Sequence, residues 1–284
     1  MSEQLAATIV AAHRAVFDGV LEAVDDLDEL GWSTPTGCPG WDVRDQLSHL
    51  VGIERAMLGD PPDDVELPAG LDHVVTDFDR ATELAVEARR RLSAQARLDE
   101  ARDTFARRLA MLEALDPATL REPLDGPAGM RMKASQMLRT RVFDLTCHEQ
   151  DIRRALGRPG GLQGPHVDIA VEQVLRAWAK VLPGRLGDDV VLDVEVVGYT
   201  RVLLDLAQAA LHRLDPDAQP PGMVPPDAGS PAAIAAPTAA IRLDAGQLLA
   251  VGTGRRDAPE AASLHRSGDP AVVDQWVRLG SVTP

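Results

Sequence analysis

The sequence predicts an α+β protein, in which an N-terminal four-helix bundle is followed by a smaller C-terminal α/β domain. Apolar residues recur at three- and four-residue spacing over most of the first half, which is typical of amphipathic helices. Glycine and proline accumulate at 157–165, and beyond them residues 190–196 alternate with the period of two of a half-buried strand. We therefore place the domains at 1–160 and 165–284.

The first two helices are separated by a loop with two prolines. Residues 3–29 form the first predicted helix, and its inward face carries Leu5, Ile9, Val16, Val20, Val24 and Leu27. Proline stops helical continuation in the loop GWSTPTGCPGW. Asp42 is then a suitable N-cap, with Asp45 at the third position, for a helix over 43–58 that contains His49.

The remaining bundle helices follow a loop at 59–70, which is long enough to cross the end of a bundle. Further helices are predicted over 74–92, 95–115 and 133–156, and the last of these carries Asp144 and His148. Four main helices among these five would fit a bundle.

The C-terminal domain combines both kinds of element. We predict a helix over 166–182, strands over 190–196, 239–243 and 263–266, a helix capped by Asp244 and Gln247 that ends near Gly252, and a final helix from Asp269 to Leu279. Pro, Ala and Gly dominate 215–238, which predicts an exposed or partly disordered loop.

Composition and charge exclude several classes of function. A net charge of −15 argues against a broad nucleic-acid interface, which requires clustered Lys and Arg. No run of 18 or more apolar residues occurs, and the N-terminus lacks the apolar core of a signal peptide, so we expect a cytoplasmic protein without a membrane span. Two cysteines are too few for a disulfide framework. Cys147 is predicted to be a core residue and Cys38 an unreactive loop residue.

Asp144 and His148 are the strongest candidates for a functional site. Residues i and i+4 share one face of a helix, so this carboxylate and imidazole converge on one point. With His49 from another helix they form an N,N,O set that leaves a metal coordination position open, as catalytic zinc sites do. A single His on a helix is more often structural, and the joint placement favours the metal interpretation.

Four further residues lie near this pair on the same predicted helix. Two of them, Arg141 and Asp151, have two interpretations each, and the other two have one. Asp151 lies one turn after His148 and Arg141 about two turns before it. Both would orient the ligands or bind an anionic substrate, and the alternative is surface ion pairing. Glu149 and Arg153 are predicted to form an exposed i, i+4 pair.

Two segments carry a resemblance to a known family. WSTPTGCPGWDVRDQLSHLVGIE (32–54) and FDLTCHEQDIRRALGRPGG (143–161) resemble the hallmark segments of the mycothiol-dependent maleylpyruvate isomerase family, whose bundle is DinB-like. The resemblance covers residues 1–160, and the remainder is similar to that family's sterol-carrier-like C-terminal domain. It implies a divalent metal, usually zinc, bound by His49, Asp144 and His148. The family often has Glu where Asp144 stands.

The resemblance also implies the chemistry. Mycothiol, the small thiol of actinobacteria, would be the cosubstrate, and Arg255 in TGRR would hold a substrate carboxylate or stabilise an enolate. The leading hypothesis is isomerisation of a small electrophile or S-transfer to it, by a monomer or homodimer. The alternatives are a non-catalytic metal- or ligand-binding bundle and a metal-dependent hydrolase with the same three ligands.

Overall fold

The computed structural model describes residues 2–126, 131–187, 189–214, 236–255 and 263–283. The chain divides into two compact units, Met1–Ile169 and Ala170–Pro284. The domain bounds proposed from the sequence stay a prediction.

The first unit is a helical bundle with a small hairpin. Its elements are α1 (Ser2–Val24), α2 (Glu29–Trp32), α3 (Val43–Leu58), α4 (Asp77–Arg89), α5 (Ala94–Glu113), a 3₁₀ turn (Pro117–Arg121), β1 (Pro123–Asp125), β2 (Arg131–Lys133) and α6 (Ala134–Leu156). Helices α1, α3, α5 and α6 form the bundle, and α4 packs on α3. The antiparallel pairing of β1 with β2 was not predicted.

The predicted helix 3–29 was wrong at its end. Helix α1 stops at Val24, and α2 begins separately after Asp28, whose side chain accepts a 2.8 Å hydrogen bond from the Gly31 amide. An N-cap requires extended backbone at its own position, so a single helix cannot run through Asp28.

Helix α3, which carries His49, begins where the sequence predicts. Asp42 and Asp45 form a reciprocal capping box, and Gly59 ends the helix with a left-handed φ of 77°. These two caps set where α3 begins and ends.

Apolar residues of α1, α3, α5 and α6 make the main core. Phe17 of α1 stacks on Phe105 of α5 with their ring centroids 4.2 Å apart. The cluster also contains Val16, Val20, Leu47, Leu50, Val51, Leu98, Leu145 and Ile152, all buried. This packing holds α3 and α6 side by side.

The second unit is a five-stranded sheet with helices. The elements are α7 (Pro165–Val181), which runs across the division between the units, α8 (Pro183–Leu186), β3 (Val191–Val196), β4 (Thr200–Asp205), β5 (Ala210–Leu214), β6 (Ala239–Leu243), α9 (Ala245–Gly252), β7 (His265–Gly268) and α10 (Pro270–Leu279). The strand order is β5-β4-β3-β6-β7, with β3 and β6 parallel and the other neighbours antiparallel.

Two strands of this sheet, β4 and β5, were missed, while the predicted caps of α9 and α10 are present. Asp244 and Gln247 form a capping box, and Asp269 accepts from the amide of Ala271 at 2.8 Å. The strand β3 is more buried than predicted, because Asp193 pairs with Arg201 of β4 at 2.7 Å. Most of the predicted loop, 215–235, lies outside the described residues.

Within the described ranges, no helix has the length and apolar character needed to cross a lipid bilayer.

Candidate metal centre

The centre is built from α3 and α6 of the first unit. His49 lies on α3 and is 4% exposed, while Asp144 and His148 lie one turn apart on α6. His49 Nε2 is 3.6 Å from Asp144 Oδ2, and His148 Nε2 is 3.6 Å from Asp144 Oδ1. The three donor atoms all lie within 4.8 Å of one another. The structure therefore brings together the three residues predicted as metal ligands.

His49 provides the test of whether a cation fits. Both of its ring nitrogens are buried, and neither has a hydrogen-bond partner among the described residues. A buried polar atom without a partner is costly, and a metal ion beside Nε2 would satisfy it. The donor set of two imidazoles and one carboxylate is also one that zinc accepts. The residues present fit a divalent cation.

The surroundings shift the pKa values of the two histidines in opposite directions. Burial lowers the pKa of His49 to about 4, so its ring is neutral at pH 7. Burial also opposes charge on His148, but the Asp144 carboxylate outweighs it and raises the pKa of His148 to about 10. The pKa of Asp144 is well below its usual value; burial opposes this shift, but the positive charge of Arg141 outweighs it.

Arg141 contacts two carboxylates. Its Nη1 donates to Asp144 Oδ2, and its Nε donates to Glu54 Oε1 at 2.5 Å. Glu54 is fully buried on α3, and its other oxygen accepts from Arg108 of α5 at 2.8 Å. Arg141 is 6% exposed, so its ion pairs do not lie on the surface. Its predicted roles, orientation of the ligands and binding of an anionic substrate, stay predictions. The part of Glu54 and Arg108 was missed, because it depends on packing between three helices.

Asp151 lies on the Nδ1 side of the His148 ring, whereas Asp144 lies on the Nε2 side. Its Oδ2 is 3.7 Å from His148 Nδ1 and accepts a 3.5 Å hydrogen bond from Cys38 Sγ, while its Oδ1 accepts from Arg154 at 3.3 Å. Cys38, predicted as an unreactive loop residue, packs against a carboxylate beside the candidate ligand. Cys147 is buried in the core, as predicted.

Gln46 and Trp41 were not among the predicted site residues. The Gln46 side-chain oxygen is 2.5 Å from His148 Nδ1, and the Trp41 ring is tilted against His49 with centroids 5.0 Å apart. The Trp41 indole donates to Glu83 at 2.8 Å. One sequence signal was available for Gln46, because it precedes His49 by three residues and so shares its helix face.

The predicted exposed pair Glu149–Arg153 was wrong in its exposure. The ion pair exists, with Nε and Oε1 2.7 Å apart, but Glu149 is fully buried and Arg153 is 7% exposed. Gly19 of α1 and Gly161 leave the space that the Glu149 carboxylate occupies. A pair on the side of α6 that packs on α1 cannot reach solvent, which the sequence spacing alone does not show.

Arg255 lies in the second unit, directly after α9. Its Nη1 donates to the carbonyl of Thr253 at 2.6 Å, and the side chain is partly buried. Its predicted catalytic role stays a prediction, and Arg256 lies outside the described residues.

Comparisons with known proteins agree with this fold. The family model described as the mycothiol maleylpyruvate isomerase N-terminal domain matches residues 13–153. Crystal structures of the mycothiol-dependent maleylpyruvate isomerase, and of a histidine-to-alanine mutant of it, are similar over 94% of this chain and 93% of theirs. The TM-scores are 0.55 and 0.57 at 12% sequence identity, so the likeness shows the fold. No curated protein sequence matches the chain.

Proposed function

The chain belongs, through residues 13–153, to the mycothiol maleylpyruvate isomerase N-terminal domain family, and from this premise we propose that it is a metal-dependent enzyme that uses mycothiol. The reaction is isomerisation of a small electrophilic substrate or S-transfer to it. The metal is a divalent cation, and zinc is our first choice because the donors are two nitrogens and one oxygen.

One observation carries the proposal. Two helices place two imidazoles and one carboxylate within 4.8 Å of one another, and both nitrogens of the buried His49 lack hydrogen-bond partners within the described residues. A purely structural histidine on the interior of a bundle would be satisfied by a neighbour. His49, Asp144 and His148 supply three ligands, so a fourth position is available to a thiol or a substrate.

A bound divalent cation would supply Lewis acidity, which lowers the pKa of a thiol so that the nucleophilic thiolate dominates at neutral pH. In an isomerase the thiolate adds to a conjugated cis double bond, the new single bond rotates, and the thiolate leaves. In a transferase the carbon–sulfur bond stays, and either the carbanion takes up a proton after addition or a halide leaves after substitution. Both reactions need the same first step.

Residues around the ligands restrict their freedom. Arg141 holds one oxygen of Asp144, so the carboxylate has little rotational freedom. The Trp41 ring lies against both imidazoles, with centroids 5.0 Å from His49 and 6.2 Å from His148. An aromatic ring there excludes water from one side of the ligands, which strengthens electrostatic interactions with a bound group. We keep Arg255 as the proposed partner of a substrate carboxylate.

Metal analysis tests the site. Purified wild-type protein is compared with the His49→Ala and His148→Ala variants. Each protein is loaded with zinc and desalted, and its zinc content per chain is measured by elemental mass spectrometry. Stoichiometric zinc in the wild type and its loss in both variants support the proposal. The control is His265→Ala, because His265 is an exposed histidine of the second unit. Equal zinc in all four proteins, with folding verified by circular dichroism, contradicts it.

Turnover separates the three functions that this site would allow. Maleylpyruvate, chlorodinitrobenzene and monobromobimane are offered with and without mycothiol, and the products are identified by mass spectrometry. Thiol-dependent isomerisation or conjugate formation supports the proposed enzyme. Product formed equally without thiol indicates the hydrolase. Tight zinc binding without turnover of a broad panel of electrophiles indicates a non-catalytic bundle.

A further inference from the structure

We infer that Gln46 is a positioning residue, which keeps a proton on His148 Nδ1 and so reserves His148 Nε2 for the side where Asp144 and His49 lie. The consequence for metal binding rests on the proposed function. The state of the ring is a property of this chain and is tested separately below.

The orientation of the Gln46 amide follows from its second contact. Gln46 Nε2 donates to Thr36 Oγ1 at 2.9 Å, and Thr36 Oγ1 in turn donates to the Trp41 carbonyl at 2.9 Å. The amide nitrogen is therefore directed at Thr36 and the amide oxygen at His148. Gln46 is fully buried, so water does not compete for either contact.

The amide oxygen determines which nitrogen of His148 keeps its proton when the ring is neutral. This oxygen only accepts, and it lies 2.5 Å from Nδ1, so Nδ1 must be the donor. In neutral imidazole the other nitrogen then keeps its lone pair. That nitrogen, Nε2, is 3.6 Å from Asp144 Oδ1 and faces the candidate metal position.

Asp151 is a charged neighbour on the Nδ1 side of the ring, and the distances favour Gln46 as the partner of Nδ1. Asp151 Oδ2 is 3.7 Å from Nδ1, beyond hydrogen-bond range, and both its oxygens have other partners in Cys38 and Arg154. The ring is thus held by a neutral amide. The loop residues Thr36 and Trp41 hold that amide, so the loop before α3 contributes to the ligand geometry through Gln46 as well as through the Trp41 ring.

The test compares three variants. Gln46→Leu removes the acceptor and keeps an apolar side chain of similar size, whereas Gln46→Glu keeps an acceptor oxygen. Gln150→Leu is the matched control, because Gln150 is also a buried glutamine, and its amide donates to the Gly160 carbonyl at 3.0 Å. Zinc affinity is measured by competition with a chromophoric chelator.

We expect Gln46→Leu to weaken zinc binding by about 10–100-fold, the effect of losing an outer-sphere partner of a histidine ligand. Gln46→Glu binds more tightly than Gln46→Leu, and Gln150→Leu matches the wild type. Wild-type affinity in Gln46→Leu overturns the inference. If Gln46→Leu does not fold, a loss of affinity in the folded Gln46→Glu as large as in His148→Ala overturns it equally.

Nitrogen-15 spectra of the His148 ring give a readout that a packing role would not change. In metal-free and zinc-loaded wild type we expect an Nδ1–H proton protected from exchange with solvent, and we expect that protection to vanish in Gln46→Leu. A wild-type ring without a proton on Nδ1 refutes the inference. Absence of zinc binding in the wild type, with the Nδ1–H protected, refutes the proposed function and leaves the role of Gln46 intact.

Discussion

Glu54 joins three helices of the bundle through two buried arginines, which makes Glu54→Gln an informative substitution. The Glu54 carboxylate on α3 accepts from Arg108 on α5 at 2.8 Å and from Arg141 on α6 at 2.5 Å. All three side chains are almost fully buried. Glutamine has nearly the same shape, but it is neutral and directs an NH₂ group at one of the guanidinium groups.

The magnitude follows from burial. Removing one partner of a buried ion pair leaves an uncompensated charge and costs about 3–5 kcal/mol. We place Glu54→Gln in this range, which is a large part of the roughly 5–15 kcal/mol that stabilises a typical domain. The matched control is Glu113→Gln, because Glu113 pairs with Arg14 where both side chains are about half exposed. That exposed pair is worth only about 0–1 kcal/mol.

The pH dependence has a definite sign. Burial raises the pKa of Glu54, but the charges of Arg141 and Arg108 outweigh burial, so the pKa lies below its ordinary 4.5. A carboxylate with a lowered folded-state pKa stabilises the protein above its unfolded pKa and loses that contribution as the pH falls through the folded value. The stability difference between wild type and Glu54→Gln is therefore full above about pH 4.5 and shrinks in more acidic solution.

The assay is urea unfolding followed by circular dichroism, from neutral pH to below pH 4.5. Two results would refute the reasoning: a Glu54→Gln midpoint no lower than that of Glu113→Gln at pH 7, or a difference from wild type that does not change with pH. Either would mean that the two guanidinium groups find other compensation.

Three further predictions concern the ligands and the backbone. Asp144→Asn weakens zinc binding in equilibrium dialysis because a neutral amide is a poorer ligand, whereas Asp144→Glu retains it; equal binding by both contradicts the role of the carboxylate. Gly161→Ala lowers the free energy of unfolding in urea by about 1–3 kcal/mol more than Gly157→Ala does. Both glycines have a left-handed φ, but only at Gly161 does the new methyl group overlap the Glu149 side chain. Equal losses would argue against that close packing. Asp42→Ala, which removes the α3 cap, costs about 0.5–2 kcal/mol in the same assay, and an unchanged midpoint would show that the cap contributes nothing.

Much of the helical architecture is predictable because its signals are local. The start of α3 at Asp42 and the ends of α6 and α9 follow from capping residues and from glycine within a few positions of each boundary. Strands β4 and β5 were missed since a short strand is defined by its partner. The register of β4 depends on pairing with both β3 and β5, which no sequence window contains.

The same distinction applies to the candidate site. The proximity of Asp144 and His148 is a property of one helix, so the sequence by itself determined it, and it determined His49 as a candidate by its place on a second helix face. Only the tertiary structure decided that α3 and α6 lie close enough for His49 to join the pair. Gln46 and Glu54 acquire their roles from partners 102 and 87 positions away, because contacts across a bundle depend on packing rather than on sequence spacing.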